Sequence, residues 1–174
     1  LKYLSRPLQI LVLGGSQGAL AINEVIPKLL AAWPEDSRPA VRHQTGDRTL
    51  EATQLSYQEK GLDSSESLEV VPFIGDMAEA YTWADLVICR SGASTVSEIA
   101  AAGLPSILVP YPHHSDQQQT HNANWLVHAG AAFLLEQNTL TVTALSALVL
   151  DLHENRKKLQ QMSDIAKSIG VYDA

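Results

Sequence analysis

Short unbroken apolar runs recur along the chain, separated by longer stretches in which apolar residues return every three or four positions. The run LQILVLG (8–14) is continuous and ends in glycine, the pattern of a strand buried on both faces. Behind it Ile22, Ile26, Leu29, Leu30 and Trp33 fall at helical spacing, and Pro34 predicts where that helix stops. A more polar strand is expected over 40–44 (AVRHQ), then an amphipathic helix over 48–60 that ends at Gly61. SLEVVPF (67–73) reads as the third strand, followed by a short helix capped by Asp76-x-x-Glu79 and running to Trp83. DLVICR (85–90) is the fourth, and the helix after it is predicted over 95–102, with Gly103 just past its end and Pro105 beyond. SILVPY (106–111), a helix over 116–129 closed by Gly130, AAFLLE (131–136) and two helices over 141–152 and 154–168 complete the alternation.

This order predicts an α/β fold: a doubly wound, mostly parallel, six-stranded Rossmann-like sheet with helices on both faces. Residues 1–174 are expected to form a single domain, within the usual ~100–200 residues. In such sheets ligands bind beyond the carboxyl ends of the strands, where the strand order reverses. That rule selects the loops 14–18, 44–47, 73–76, 90–95 and 110–119, which hold most of the glycine, hydroxyl and amide clusters.

Composition narrows the partners. A net charge of −7 argues against a nucleic-acid or anionic-membrane surface, because those partners reward basic patches. Cys89 is the only cysteine, which excludes an intramolecular disulfide or a multi-cysteine zinc site, and it is expected to be a buried small hydrophobe. The opening LKYLSRPLQILVLGG lacks the pattern of a secretory leader, and no apolar run approaches the ~18 residues of a membrane span. A cytoplasmic location is the expectation.

Two loops carry candidate chemistry. In GGSQGA (14–19), Gly14, Gly15 and Gly18 would let backbone N–H groups approach a phosphate at a helix N-terminus, with Ser16 adding a hydroxyl. The alternative is a tight turn that needs glycine. The spacing is not the G-x-G-x-x-G of dinucleotide sites, RHQTG at the second strand's end offers no acid for an adenosine ribose, and the Lys-Ser/Thr pair of a Walker A loop is missing. RSGAST (90–95), with Gly92 at its centre, is a second turn of this kind. Two helix N-termini at one sheet edge suit a pyrophosphate. Glu98 then has two readings. It closes a capping box with Thr95 as N-cap, or it accepts hydrogen bonds from sugar hydroxyls one unit beyond the anion.

PHHSDQQQTHNA (112–123) offers His113, His114, Asp116 and His121 as metal ligands, but without the spacing of a helical zinc pair, so neither metal nor cofactor is expected. Gln118 and Gln119 carry donors and acceptors suited to neutral sugar groups, a solvated helix face being the alternative.

GGSQGA, HQTG, the long stretch FIGDMAEAYTWADLVICRSGASTVSEIAAAGLP (73–105) and the glutamine-rich segment ending in NA together resemble the MurG family of bacterial glycosyltransferases, over essentially the whole chain. That family moves N-acetylglucosamine from UDP-N-acetylglucosamine onto lipid I, giving the lipid II precursor of peptidoglycan. The resemblance implies the carboxyl-terminal, donor-binding half of a GT-B enzyme, with the acceptor domain, the general base and the membrane contact outside this chain. It implies Ser16 at the donor phosphates and Ile74 meeting uracil through its backbone. It implies Ala93, Ser94, Thr95, Val96, Ser97 and Glu98 along the diphosphate and ribose, with Glu98 on the ribose hydroxyls. Gln119, with Gln118 beside it, would contact the donor sugar.

The chemistry implied is inverting transfer without a metal, no catalytic residue in this domain, and donor binding without turnover by this chain alone. The full-length enzyme would be peripheral on the inner face of the plasma membrane. Gly75 departs from the family, which commonly has an acidic residue there. An epimerase of the same architecture would need an acid/base pair, for which only His43 and the 113–121 cluster offer candidates. A non-catalytic Rossmann-like module would show no nucleotide preference.

Overall fold

The computed structural model describes residues 6–14, 19–63, 65–112 and 117–172. Strands β1 (Gln9–Leu13), β2 (Ala40–Gln44), β3 (Leu68–Val71), β4 (Leu86–Cys89), β5 (Ser106–Leu108) and β6 (Ala132–Leu134) form one sheet in the order β3-β2-β1-β4-β5-β6. Every neighbouring pair is parallel, so the expected mostly parallel sheet is wholly parallel among the described residues. The chain winds outward from β1 to β3, returns to β1's other side at β4, and winds outward again to β6. The order therefore reverses between β1 and β4.

All four residues of β4 are buried, which is why its sequence is an unbroken apolar run. β2 lies further from the centre and alternates, with Val41 and His43 inward. Alternate residues divide between two cores. Ile10, Val12, Leu86 and Ile88 join the core under α1 (Leu20–Ala32), α2 (Leu50–Glu59) and α6 (Val142–Glu154). Leu11, Val87 and Cys89 face the other, under α3 (Met77–Trp83), α4 (Ala93–Ala102) and α5 (Gln118–Ala129). The last helix, α7 (Arg156–Tyr172), gives Leu159 and Met162 to the first core and Ala166 to the second.

Helix ends follow local chemistry. Asp76 caps α3 by accepting the Glu79 N–H at 3.0 Å. Gly103 (φ 69°) and Gly130 (φ 93°) close α4 and α5 in the left-handed conformation that glycine adopts without penalty. α4 starts at Ala93 rather than at residue 95, and α5 at Gln118 rather than 116. β2 occupies its expected span, and each of the other five strands is two or three residues shorter than the run that predicted it. Among the described residues no helix is long and apolar enough to cross a membrane.

Candidate functional site

A cleft of about 570 Å³ opens at the carboxyl edge of the sheet, where the strand order reverses. Its floor is formed by Leu13 and Gly14 after β1, Gln44 at the end of β2, and Cys89 and Arg90 after β4. Gly92, Ser94, Thr95 and Glu98 of the α4 segment, Met77 and Tyr81 of α3, and Tyr111 and Gln119 complete its lining.

α4 aims its N-terminus at this cleft. Gly92 is its N-cap, in extended conformation and without a side chain to offer, and the first helical bond runs from Val96 N–H to Gly92 O at 3.0 Å. The N–H groups of Ala93, Ser94 and Thr95 precede the first intrahelical donor, so they are left for a ligand or for solvent at the positive end of the helix dipole. Thr95 is therefore the third helical residue and not the N-cap, which removes the capping-box reading. The cap passed to a glycine three residues earlier. Glu98 turns instead to α3, where its Oε2 accepts the Tyr81 hydroxyl at 2.7 Å.

Helical periodicity sorts the run 93–98. Ser94, Thr95 and Glu98 line the cleft. Val96 is buried in the second core, while Ala93 and Ser97 face a separate groove with His121, Asn122 and Trp125. Successive helical residues are rotated by about 100°, so a contiguous sequence motif cannot present one contiguous side-chain surface.

The turn between β4 and α4 is clamped by α5. Ser91 is fully buried, and its hydroxyl donates to Gln119 O at 2.6 Å while Asn122 Nδ2 donates to Ser91 O at 2.9 Å. Gln119 Oε1 accepts the backbone N–H groups of Tyr111 at 2.8 Å and Ser91 at 3.3 Å. This fixes the amide orientation, with Nε2 as the donor end. Gln118 is exposed outside the cleft and donates to Asn122 Oδ1 at 3.1 Å. Of the two glutamines, Gln119 is in the cleft.

Gly14 permits a close approach. A Cβ there would lie 2.5 Å from Asn23 Oδ1 and 2.7 Å from Gln44 O. Behind it His43 is buried, with Nε2 2.7 Å from Asn23 Oδ1 and Nδ1 2.7 Å from the Tyr57 hydroxyl. Asn23 Nδ2 donates to Thr49 Oγ1 at 2.9 Å, which leaves Oδ1 as the acceptor and assigns the proton to His43 Nε2. Burial pushes the His43 imidazole down to about 3. His43 is thus a neutral core residue outside the cleft, and an epimerase-like acid/base pair loses it as a candidate.

Ile74, on the connection from β3 to α3, is half-buried against the second core and is not among the residues that line the cleft. Gly15, Ser16, Gly18, His113, His114 and Asp116 lie outside the described residues. Among the described residues no group of three or more His, Cys, Asp or Glu side chains could hold a metal ion. Cys89 is buried, and burial pushes its thiol up to about 12, as expected of a packed hydrophobe.

Arg90, Tyr81, Met77 and Tyr111 were not singled out by the sequence. Arg90 lies over the Tyr111 ring at 5.6 Å and donates to Gln137 Oε1 at 2.7 Å, bringing a cation to the cleft floor. Its signal was a charged residue ending an otherwise apolar strand run. For Tyr81 and Tyr111 the sequence held none.

Residues 9–174 match the family described as Glycosyltransferase family 28 C-terminal domain. The UDP-N-acetylglucosamine--N-acetylmuramyl-(pentapeptide) pyrophosphoryl-undecaprenol N-acetylglucosamine transferase of Marinobacter nauticus is 51% identical over 170 residues, which are 98% of this chain and 46% of that protein. The protein of the same name from Azotobacter vinelandii is 48% identical over 169 residues, 97% of this chain and 46% of its own. The crystal structure of Acinetobacter baumannii MurG superposes with a TM-score of 0.83 at 42% identity, covering 94% of this chain and 48% of that one. The chain spans about half the length of these relatives. A sheet that reverses at this cleft, and a family match running from β1 to the last residue, make the chain a member of the glycosyltransferase family 28 C-terminal domain family.

Proposed function

We propose that this chain is the donor-binding domain of an inverting transferase that moves N-acetylglucosamine from UDP-N-acetylglucosamine onto lipid I, forming lipid II for peptidoglycan. The observation that carries the reading is the α4 N-terminus, capped by a glycine, which opens onto the cleft with the Glu98 carboxylate one turn further along. The relatives' names supply the donor and acceptor.

In this reading the diphosphate meets the N–H groups of Ala93, Ser94 and Thr95, the Thr95 hydroxyl, and the glycine loop of Gly14, Gly15 and Gly18 with Ser16. The ribose hydroxyls donate to Glu98, and uracil pairs with the Ile74 backbone at the α3 end. The Nε2 of Gln119 donates to the N-acetylglucosamine unit, with Gln118 near the rim. Val96 and Ser97 support the helix from behind. A carboxylate suits hydroxyls rather than phosphate, since like charges repel. Gln44, rather than an acid, ends β2, which disfavours an adenosine ribose and hence NAD.

The acceptor hydroxyl attacks the anomeric carbon from the face opposite UDP, the glycosidic C–O bond breaks, and the electron pair leaves on the β-phosphate oxygen. The α4 dipole and N–H groups stabilise that growing charge, and losing one such donor costs roughly 10²–10³ in rate. Acceptor binding, the general base and the contact with the inner face of the plasma membrane belong to the rest of the full-length enzyme.

Calorimetric titration of the chain with UDP-N-acetylglucosamine, UDP and NAD tests the reading. Uridine nucleotides should bind, NAD should not, and Glu98→Ala should weaken binding about tenfold, the scale of a hydrogen bond to a charged group. A folded chain that ignores uridine nucleotides, or takes NAD equally well, overturns it.

A further inference from the structure

Glu98 is exposed on the second turn of α4, where a glutamate has many rotamers and freezing one on a ligand is opposed by entropy. Tyr81 changes that. It has two side-chain torsions, its ring is half-buried against the second core, and α3 beneath it is fixed by the Asp76 cap. Its hydroxyl is therefore a fixed point on the cleft wall, 2.7 Å from Glu98 Oε2. Burial foremost, then the hydrogen bond to Glu98 and the charge of Glu98, push the phenol above its ordinary range, so it stays a donor. Glu98 Oε1 has no partner among the described residues. One carboxylate oxygen is thus anchored by the protein and its twin is presented to the cleft in a set plane.

We infer that Tyr81 is a positioning residue that holds Glu98 ready for a vicinal diol and thereby makes the cleft prefer ribonucleotides over deoxyribonucleotides. The inference rests on the donor-binding reading above. A carboxylate free to rotate can meet a single hydroxyl about as well as two, by swinging toward whichever is present. A carboxylate held in one plane offers Oε1 and the remaining lone pair of Oε2 as adjacent acceptors for adjacent hydroxyls. Removing one hydroxyl then leaves a charged acceptor unmet in a cleft that excludes part of the solvent. A mere tie between α3 and α4 would affect the stability of the chain but not its choice of sugar.

The test compares UDP with 2′-deoxyuridine 5′-diphosphate by calorimetry on the wild-type chain, Tyr81→Phe, Glu98→Ala and the double variant, with thermal melts to establish folding. The phenylalanine keeps the ring and its packing. The wild type should prefer UDP by about tenfold, and Tyr81→Phe should shrink that preference to about threefold or less. In the Glu98→Ala background, Tyr81→Phe should leave the ratio unchanged, since the tyrosine acts through the carboxylate. A preference retained in Tyr81→Phe overturns the inference and leaves the donor-binding reading standing. So does a wild type that binds both diphosphates equally, or a Tyr81→Phe chain that fails to fold, which would make the contact structural. A folded wild type that binds neither diphosphate overturns both.

Discussion

His43 sits in a strand whose alternate residues face the first core, so its imidazole lies where a charge would have no water. It is accommodated as a neutral ring between Tyr57 and Asn23, and Asn23 in turn reaches Thr49, whose hydroxyl donates to Thr45 O at 2.6 Å. This chain of bonds lies directly behind Gly14 and ties α1 to the turn after β2. It also sets a pH dependence. The folded state holds His43 down to about 3, against 6.5 for an unperturbed histidine, so between those values the unfolded chain binds the extra proton. Stability is fully present above pH 6.5 and is lost as pH falls toward 3. His153, lowered by burial and by Arg156, acts in the same direction. Denaturant melts should lose about 2 kcal/mol from His43 between pH 7.5 and 5, before most carboxylates titrate. His43→Gln should flatten that slope, whatever its effect on absolute stability. An unchanged slope in the variant would show that the imidazole is not protonated on unfolding.

At the scale of the element, α4 converts a linear motif into two surfaces. Thr95 faces the cleft and Ser97 faces the groove beside Trp125. Thr95→Val removes a hydroxyl at the proposed diphosphate site, and UDP affinity should fall about threefold to tenfold. Ser97→Ala should stay within about twofold, by the same titration. Equal losses in both would mean the helix is rotated relative to the structure. The sequence motif could not separate these residues, because TVSE reads as one string until the helix start is known. That start depended on Gly92, whose capping is a matter of backbone conformation rather than side-chain chemistry. Strands were legible where burial on both faces leaves an unbroken apolar run, as in LVIC. Helix ends were legible where glycine must take a positive φ, as at Gly103 and Gly130. Tyr81 was not legible, because its partner Glu98 lies 17 positions away and on another helix. Such a pair exists only once both helices are packed on the same core.

Over the whole molecule, α7 connects regions that the sheet keeps apart. It begins in the first core and ends in the second, and there it packs along the back of α4, the helix that carries the candidate anion site. Ser163 donates its hydroxyl to Gly103 O at 2.7 Å, holding the carboxyl end of α4. Gly170 lets the two helices approach closely. A Cβ at Gly170 would lie 2.8 Å from Ala100 O and 2.9 Å from Ala100 C, both backbone atoms that cannot rotate aside. Gly170→Ala must therefore displace one helix from the other. Overpacking of this kind costs about 1–3 kcal/mol, which for a chain of this size lowers the thermal midpoint by several degrees, at roughly 2–4 °C per kcal/mol. If α4 moves, its N–H groups move with it, and UDP affinity should fall about threefold although residue 170 does not line the cleft. A lower midpoint with unchanged affinity would assign the displacement to α7 alone. A midpoint equal to that of the wild type would mean that the helices do not pack this closely in solution.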